Sequence, residues 1–335
     1  MKTLFPKLAV AAGFVLLLAV AAPPARGCSI CRCGDPTFNA LGTDVYKEGA
    51  FRVSLDWERF DKEQGNIPEE GAAAAKALPR FSSRFLSNND LGREAVIENR
   101  FTTGFSYTFG ERVVAVARIP WSSRHTSTVG ATEPPEGGPN ESRDLSDPDV
   151  YALVRLWSSD FTGGLGRRAW LSALGGVKTA WGKNDLTSGG VRLDEHLQPG
   201  TGSTDWFGGL SGLYLLDHRS SLFASFQLRR TGTNDFDYRY GDSTLANFGY
   251  ERKIGEIWDA VVELNFRDAG RDAVDAERTL DPNTGGRLLY LTPRVVVDLG
   301  KGVVGRLAVQ VPVYKDLNGD QRENVVANVG LTYLF

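Results

Sequence analysis

The three cysteines of the chain stand close together, at Cys28, Cys31 and Cys33. Thiolates are soft ligands, so this C-x2-C-x-C spacing predicts a site for one thiophilic ion such as Cu(I) or Zn(II). A disulfide or lipidation of Cys28 competes with metal binding, and one of three thiols is always left over from pairing. No histidine follows Cys31 or Cys33, which excludes the C-x-x-C-H attachment of a c-type haem.

A second group of candidate ligands alternates along a short polar stretch at Asp316, Asn318 and Asp320. Oxygen ligands at alternating positions are typical of the start of a calcium loop. The later ligands of a complete loop are missing. The same residues therefore also fit an acidic turn between two strands, and both interpretations stay open.

The histidines, His125, His196 and His218, are the residues to examine for enzyme activity. All three fall in predicted connections, and no G-x-S-x-G motif accompanies them. We expect solvated loop histidines and a protein that is not an enzyme. The net charge of −3 and the lack of a basic stripe argue against a nucleic-acid partner.

Many other charged residues share one phase of a two-residue period. In segments such as 257–267, Val262 and Leu264 alternate with Glu263 and Asn265, as in a strand with one apolar and one polar face. If the apolar phase faces lipid, the charges face a lumen. The predicted lumen-lining charges are Asp56, Glu58, Glu98, Arg100, Arg118, Arg155, Lys178, Arg229, Glu251, Glu263, Arg267, Arg294 and Arg306.

The same alternation predicts about twelve strands, long enough to cross a membrane when tilted. Short turns and long polar connections alternate between them, as in outer-membrane barrels. The sequence thus predicts an all-β fold, a single closed antiparallel transmembrane β-barrel with short periplasmic turns and long extracellular loops. The predicted strands are 50–60, 94–109, 112–124, 148–158, 168–182, 205–217, 220–232, 243–253, 257–267, 287–299, 302–314 and 324–335.

Aromatic residues near the strand ends predict a girdle at each membrane interface. The candidates are Trp57, Tyr107, Phe109, Trp121, Trp170, Trp181, Trp206, Trp258 and Tyr333.

The first residues predict export. Lys2 and Lys7 precede an apolar run from Leu8 to Ala22, which is too short for a typical spanning helix and is followed by Ala25-Arg26-Gly27. We expect a signal peptide at 1–27, a periplasmic cysteine-containing segment at 28–49 and the barrel at 50–335. The predicted location is the bacterial cell outer membrane.

Residues 173–216 contain Gly175-Gly176-Val177-Lys178, then Gln198-Pro199-Gly200-Thr201-Gly202-Ser203-Thr204-Asp205 and a glycine-rich strand. This stretch resembles the outer-membrane "transporter" barrels labelled as meta-pathway phenol-degradation proteins. The strand that ends at Phe335 resembles the aromatic-ended last strand of outer-membrane proteins. The resemblance implies uptake of hydrophobic or aromatic compounds.

The leading functional hypothesis is an outer-membrane channel or transporter for small solutes, surrounded by outer-membrane lipid. The alternative is a metal-binding or partner-docking module, in which the C-x2-C-x-C segment meets a periplasmic partner. A structural barrel or adhesin is third.

Overall fold

The structure, a computed structural model, describes residues 48–65, 93–129, 141–160, 167–188, 190–274, 277–282, 284–319 and 321–335. A short 3-10 helix covers Glu195–Leu197. The described residues contain no helix long and apolar enough to cross a membrane. The strands are β1 (Phe51–Gly65), β2 (Arg93–Phe109), β3 (Val113–Val129), β4 (Glu141–Leu145), β5 (Asp149–Asp160), β6 (Arg167–Lys178), β7 (Thr187–Ser188), β8 (Val191–Arg192), β9 (Asp205–Asp217), β10 (Ser220–Arg230), β11 (Ser243–Lys253), β12 (Trp258–Ala269), β13 (Gly286–Gly300), β14 (Val303–Leu317), β15 (Gln321–Glu323) and β16 (Val326–Leu334).

The long strands form one closed antiparallel ring. Each pairs with its neighbours in the order β1-β2-β3-β5-β6-β9-β10-β11-β12-β13-β14-β16, and β16 returns to β1. Short β4 and β15 extend the wall beside β3 and β1. Closure satisfies the backbone hydrogen bonds that hydrocarbon cannot supply. The predicted twelve-strand barrel is confirmed.

The two ends of the barrel differ. Tight turns join β2 to β3, β9 to β10, β11 to β12 and β13 to β14 at one end, where Phe335 also donates a backbone hydrogen bond to Phe51. We call this the turn end and the opposite end the loop end. In outer-membrane barrels the short turns face the periplasm.

The predicted strand 168–182 extends further along the chain than the strand in the structure. β6 stops at Lys178, and the next residues leave the wall. The Gly182 N–H donates to the Asp147 carboxylate at 2.9 Å, which draws the chain across the end of the barrel instead of along β5. The predicted loop 61–93 is shorter than expected, because β1 and β2 stay paired as far as Gly65 and Arg93.

The outer face of the wall is apolar and the inner face is polar. On β12, Val262 and Leu264 are 50% and 41% exposed, whereas Val261 and Glu263, which alternate with them, are each 4% exposed. A soluble protein places these residue types the other way round. The continuous apolar belt therefore identifies lipid as the solvent of the outer surface.

Aromatic rings gather at both rims, as predicted. At the turn end, Tyr107 contacts Phe109 with ring centroids 4.7 Å apart, and Tyr333 contacts Phe335 at 4.4 Å. Trp170 is an exception, and its assignment to the girdle is wrong. Its side chain lines the interior, because it shares the inward phase of β6 with the buried Ser172 and Leu174.

The lipid-facing assignment predicts a depth-dependent cost for a charge on the outer surface. Leu264→Arg, in the middle of β12, should destabilise the barrel by about 2–4 kcal/mol. Leu299→Arg is the matched control at the rim of β13 and should cost about 0–1 kcal/mol. Urea titrations of folding into lipid vesicles measure both values. Equal costs for the two variants would contradict the membrane depth given to β12.

Candidate functional site: the covered lumen

The charges predicted for the lumen lie on the inward phase of their strands. Most are less than a tenth exposed, and Glu98 and Lys178 are fully enclosed. Glu251, Arg294 and Arg306 retain some exposure and line an open cavity. Burying a charge is costly unless an opposite charge compensates it. The stability of the barrel interior therefore depends on the partners of these charged side chains.

Opposite charges face each other across neighbouring strands. Arg118 donates from Nε and Nη2 to the two oxygens of Asp149, at 2.9 and 2.7 Å. Such a two-point contact is the strongest geometry for this pair. Arg294 and Glu263 on neighbouring strands also pair at 2.7 Å, and Arg306 reaches Asp56 at 2.7 Å across Gly330 of the intervening β16.

A cavity of about 400 Å³ occupies the turn-end half of the lumen. Its lining includes the charged residues Glu251, Glu263 and Arg294 on β11 to β13 and the large apolar residues Trp170 and Leu213 on β6 and β9. Turn residues such as Lys253 and Gly302 also border it, so the cavity reaches the turn end. Its volume lies within the range of small-molecule sites, about 300–1,000 Å³.

An apolar cluster forms the lumen wall on β3, β5, β6 and β9. Tyr151 and Phe207 meet edge to face there, with ring centroids 5.9 Å apart. Gly176 makes room for them, because a Cβ at that position would lie 2.8 Å from the Phe207 ring. The full cluster is Val114, Val116, Tyr151, Leu153, Leu174 and Phe207.

The connection between β6 and β9, residues 179–204, folds over the loop end of the barrel. We call it the mouth segment. It contains β7, β8 and the 3-10 helix, and Leu193 and Leu197 pack on Val96 of β2. The sequence predicted a long external loop over 183–204. The structure has a long connection at this end, but the segment turns inward instead of extending outward, and it buries Gln198, Pro199 and Gly200.

An arginine of the wall holds the middle of the mouth segment. Arg124 is fully buried, donates to the backbone carbonyls of His196 and Gln198, and pairs with Glu98 at 3.1 Å. Glu98 also accepts from Arg100 at 2.8 Å. One carboxylate thus orients two guanidinium groups, and one of them binds the carbonyls that the mouth segment presents.

A lysine holds the far end of the mouth segment. The Lys178 ammonium donates to Asp147 at 2.8 Å, to the Ser203 carbonyl at 2.7 Å and to the Thr201 hydroxyl. The Asp205 carboxylate lies 3.4 Å away. Lysine in a dry site needs several acceptors, and here both the wall and the mouth segment supply them.

Close packing of glycines brings the two ends of the mouth segment together. A Cβ on Gly200 would lie 2.5 Å from the Gly182 carbonyl carbon, and a Cβ on Gly182 would lie 2.7 Å from the Asp147 backbone nitrogen. The Gly200 N–H donates to the Lys183 carbonyl at 2.7 Å. Larger residues at Gly182 and Gly200 would push apart the two stretches of the mouth segment that this hydrogen bond joins.

A cap of loop residues lies against the mouth segment. The Tyr240 hydroxyl donates to the Glu195 carbonyl at 2.9 Å, and the Tyr238 hydroxyl lies 3.1 Å from His196 Nε2 and 2.7 Å from Asp272 Oδ2. Burial raises the pKa of Asp272, and His196 and the Tyr238 hydrogen bond oppose that rise. The cap therefore combines aromatic packing with a buried carboxyl group.

The expectation of solvated histidines is wrong for His196, whose side chain is 11% exposed and packed against the cap. The mouth segment carries His196 inward. His218 lies exposed in the turn between β9 and β10. His125 lies at the loop end of β3, with its Nδ1 3.1 Å from Glu141.

The remaining candidate ligands stay predictions. Cys28, Cys31 and Cys33 lie outside the described residues, as does Asp320. Asn318 donates through Nδ2 to the Thr284 carbonyl at 2.8 Å, which gives it a structural contact at the end of β14.

Sequence reasoning missed the mouth segment, although a signal for it exists. The stretch Gln198-Pro199-Gly200-Thr201-Gly202-Ser203-Thr204-Asp205, which carries the family resemblance, supplies most of the contacts that hold the segment. Gln198, Thr201, Ser203 and Asp205 in it are almost fully buried. A polar stretch of this kind in a predicted surface loop can indicate that the loop folds inward.

No protein-family model matches the chain, and no curated protein matches it. Among solved structures, the chain is similar to the COG4313 outer membrane channel from Pseudomonas putida F1, with a TM-score of 0.63 and 10% identity over 88% of this chain and 100% of that one. The translocator domain of autotransporter NalP from Neisseria meningitidis has a TM-score of 0.45 and 13% identity, covering 98% of each chain. The first similarity shows that the chain has the fold of an outer-membrane channel.

The role of Lys178 predicts a large effect of removing its charge. Lys178→Met leaves Asp147 and Asp205 buried without their cation and should cost about 3–5 kcal/mol in the docking of the mouth segment or in barrel stability. Limited proteolysis within 179–204 and thermal unfolding measure the two effects. The control is Lys183→Met, because Lys183 is exposed and 4.0 Å from Asp185, and should change neither. Equal resistance of both variants to protease would contradict the anchoring role.

Proposed function

We propose that this protein is a non-enzymatic channel of the bacterial outer membrane for small solutes. The observation that carries the proposal is the lumen itself. It holds an open cavity of about 400 Å³ at the turn end, within a closed ring of strands. Barrels of about eight strands are filled by side chains, and porins of sixteen strands are wide, so twelve strands suit a narrow passage.

The walls of the lumen support solutes with an apolar face. The cavity lining offers aromatic and aliphatic contacts at Trp170, Leu213 and Phe223, while charged residues of β12 to β14 line another part of it. A compact solute can contact both surfaces at once. This division favours hydrophobic or aromatic compounds with a polar group, in line with the resemblance of residues 173–216.

The mouth segment acts as the gate in this proposal. Its anchors are polar contacts to the wall at Arg124 and Lys178, and its Leu193 and Leu197 make only a small apolar contact. A segment held this way can be displaced without opening the barrel ring. Passage then requires the gate to move or solutes to pass beside it.

Planar-bilayer recordings and liposome swelling test the channel. The wild-type protein should conduct small ions, and Lys178→Met should conduct several-fold more because it loosens the gate. Lys183→Met serves as the matched surface lysine control and should behave as wild type. The proposal fails if neither wild type nor Lys178→Met conducts ions or swells liposomes with any small solute.

A further inference from the structure

The inner face of β10 carries a fully enclosed amide, that of Gln227, for which the described residues offer no hydrogen-bond partner. Gln227 has no exposed surface, and neither Nε2 nor Oε1 has a partner among the described residues. Folded proteins satisfy roughly 90% or more of their buried polar groups, since an unsatisfied one costs stability. A side chain held at that cost suggests a role other than stabilising the wall.

The register shows why Gln227 lacks partners. It pairs with Leu245 on β11 and with Gly209 on β9, which has no side chain. Beyond Gly209, the next inward side chain is Leu174, a member of the apolar cluster. Two residues closer to the turn end, Ser225 borders the open cavity. Toward the loop end, Arg229 follows on β10, and Arg267 of β12 pairs with Leu245. Gln227 thus lies between the cavity and the loop end, and its amide has no hydrogen-bond partner among the described residues.

Gln198 provides an internal contrast. It is equally buried, but its Nε2 donates to the Leu186 and Leu193 carbonyls at 3.0 and 2.9 Å, and its Oε1 accepts from the Leu186 N–H at 3.0 Å. All of its hydrogen-bonding groups serve the internal structure of the mouth segment. The same groups on Gln227 have no partner in the part of the chain that the structure describes.

The ion-paired charges of the lumen, taken by themselves, disfavour selection for one sign of ion. Arg118, Arg294 and Arg306 are each matched by one carboxylate. The cluster of Arg100 and Arg124 with Glu98 has one excess positive charge, and the cluster of Lys178 with Asp147 and Asp205 has one excess negative charge. The excess positive charge and the excess negative charge cancel. We therefore expect uncharged side chains, and not this set of ion-paired residues, to recognise the solute.

We propose that Gln227 becomes the hydrogen-bonding contact for the solute as the solute moves between the cavity and the loop end, an inference that rests on the proposed channel function. Gln227 is enclosed and does not line the cavity, so passage must separate the side chains that cover it. Its amide combines donors with an acceptor and complements groups that have both, such as hydroxyls and amides. Leu245 beside it accommodates an apolar part of the solute. The solute class is therefore small, uncharged and compact, with hydroxyl or amide groups.

The test compares Gln227→Met with Gln198→Met, because methionine nearly preserves the volume of glutamine and removes its hydrogen bonds. The measurements are liposome swelling with arabinose, potassium chloride conductance and thermal unfolding. Gln227→Met should lower the rate of liposome swelling with arabinose about fivefold relative to the conductance of the same variant. A change of this size is expected because one hydrogen bond to the solute is lost. Its melting temperature should equal or exceed that of wild type, whereas that of Gln198→Met should fall.

Each other outcome has a distinct meaning. An unchanged ratio of arabinose rate to conductance in Gln227→Met, with a conducting wild type, would overturn the inference alone. A fall in melting temperature as large as that of Gln198→Met would assign Gln227 a structural role and also overturn it. A wild-type protein that neither conducts nor swells liposomes would refute the channel function, and the inference with it.

Discussion

Pairing of β1 with both β2 and β16 is the contact on which the rest of the molecule depends. It converts a sheet with two long open edges into a ring, and hydrocarbon tolerates only the ring. Closure also divides every strand into an outer and an inner face, so apolar and charged residues are separated by the wall. The lumen exists because the two ends of the barrel sequence meet.

Closure creates a second requirement, because the inward charges lose contact with bulk water. The barrel meets it by pairing them across neighbouring strands, as in Arg118 with Asp149, and by presenting acceptors from the mouth segment to Lys178 and Arg124. At Lys178 and Arg124, the contacts that compensate the buried charge are therefore also the contacts that hold the mouth segment over the loop end. Displacing the mouth segment would expose the charges that now hold it.

Some buried polar side chains of the lumen have hydrogen-bond partners within the protein, and Gln227 has none among the described residues. We expect the first group to stabilise the structure and Gln227 to contact the solute. Gln198 and Lys178 have their partners inside the protein, and substituting them should weaken the structure. Gln227 has no partner among the described residues, and substituting it should spare the structure. Stability measurements can therefore sort lumen residues by role before any substrate is known.

The sequence by itself determined the wall, because the two-residue period of segments such as 257–267 follows directly from strand geometry. The same period placed Glu263 and Arg294 on the inner face and Leu264 on the outer one. Only the tertiary structure decided the path of residues 179–204, since local polarity indicated an external loop and the buried Lys178 and Arg124 drew it inward. The lack of a hydrogen-bond partner for Gln227 among the described residues could not be predicted from the sequence either. It depends on Leu245 and Gly209, which are distant in sequence and adjacent to Gln227 only in the sheet.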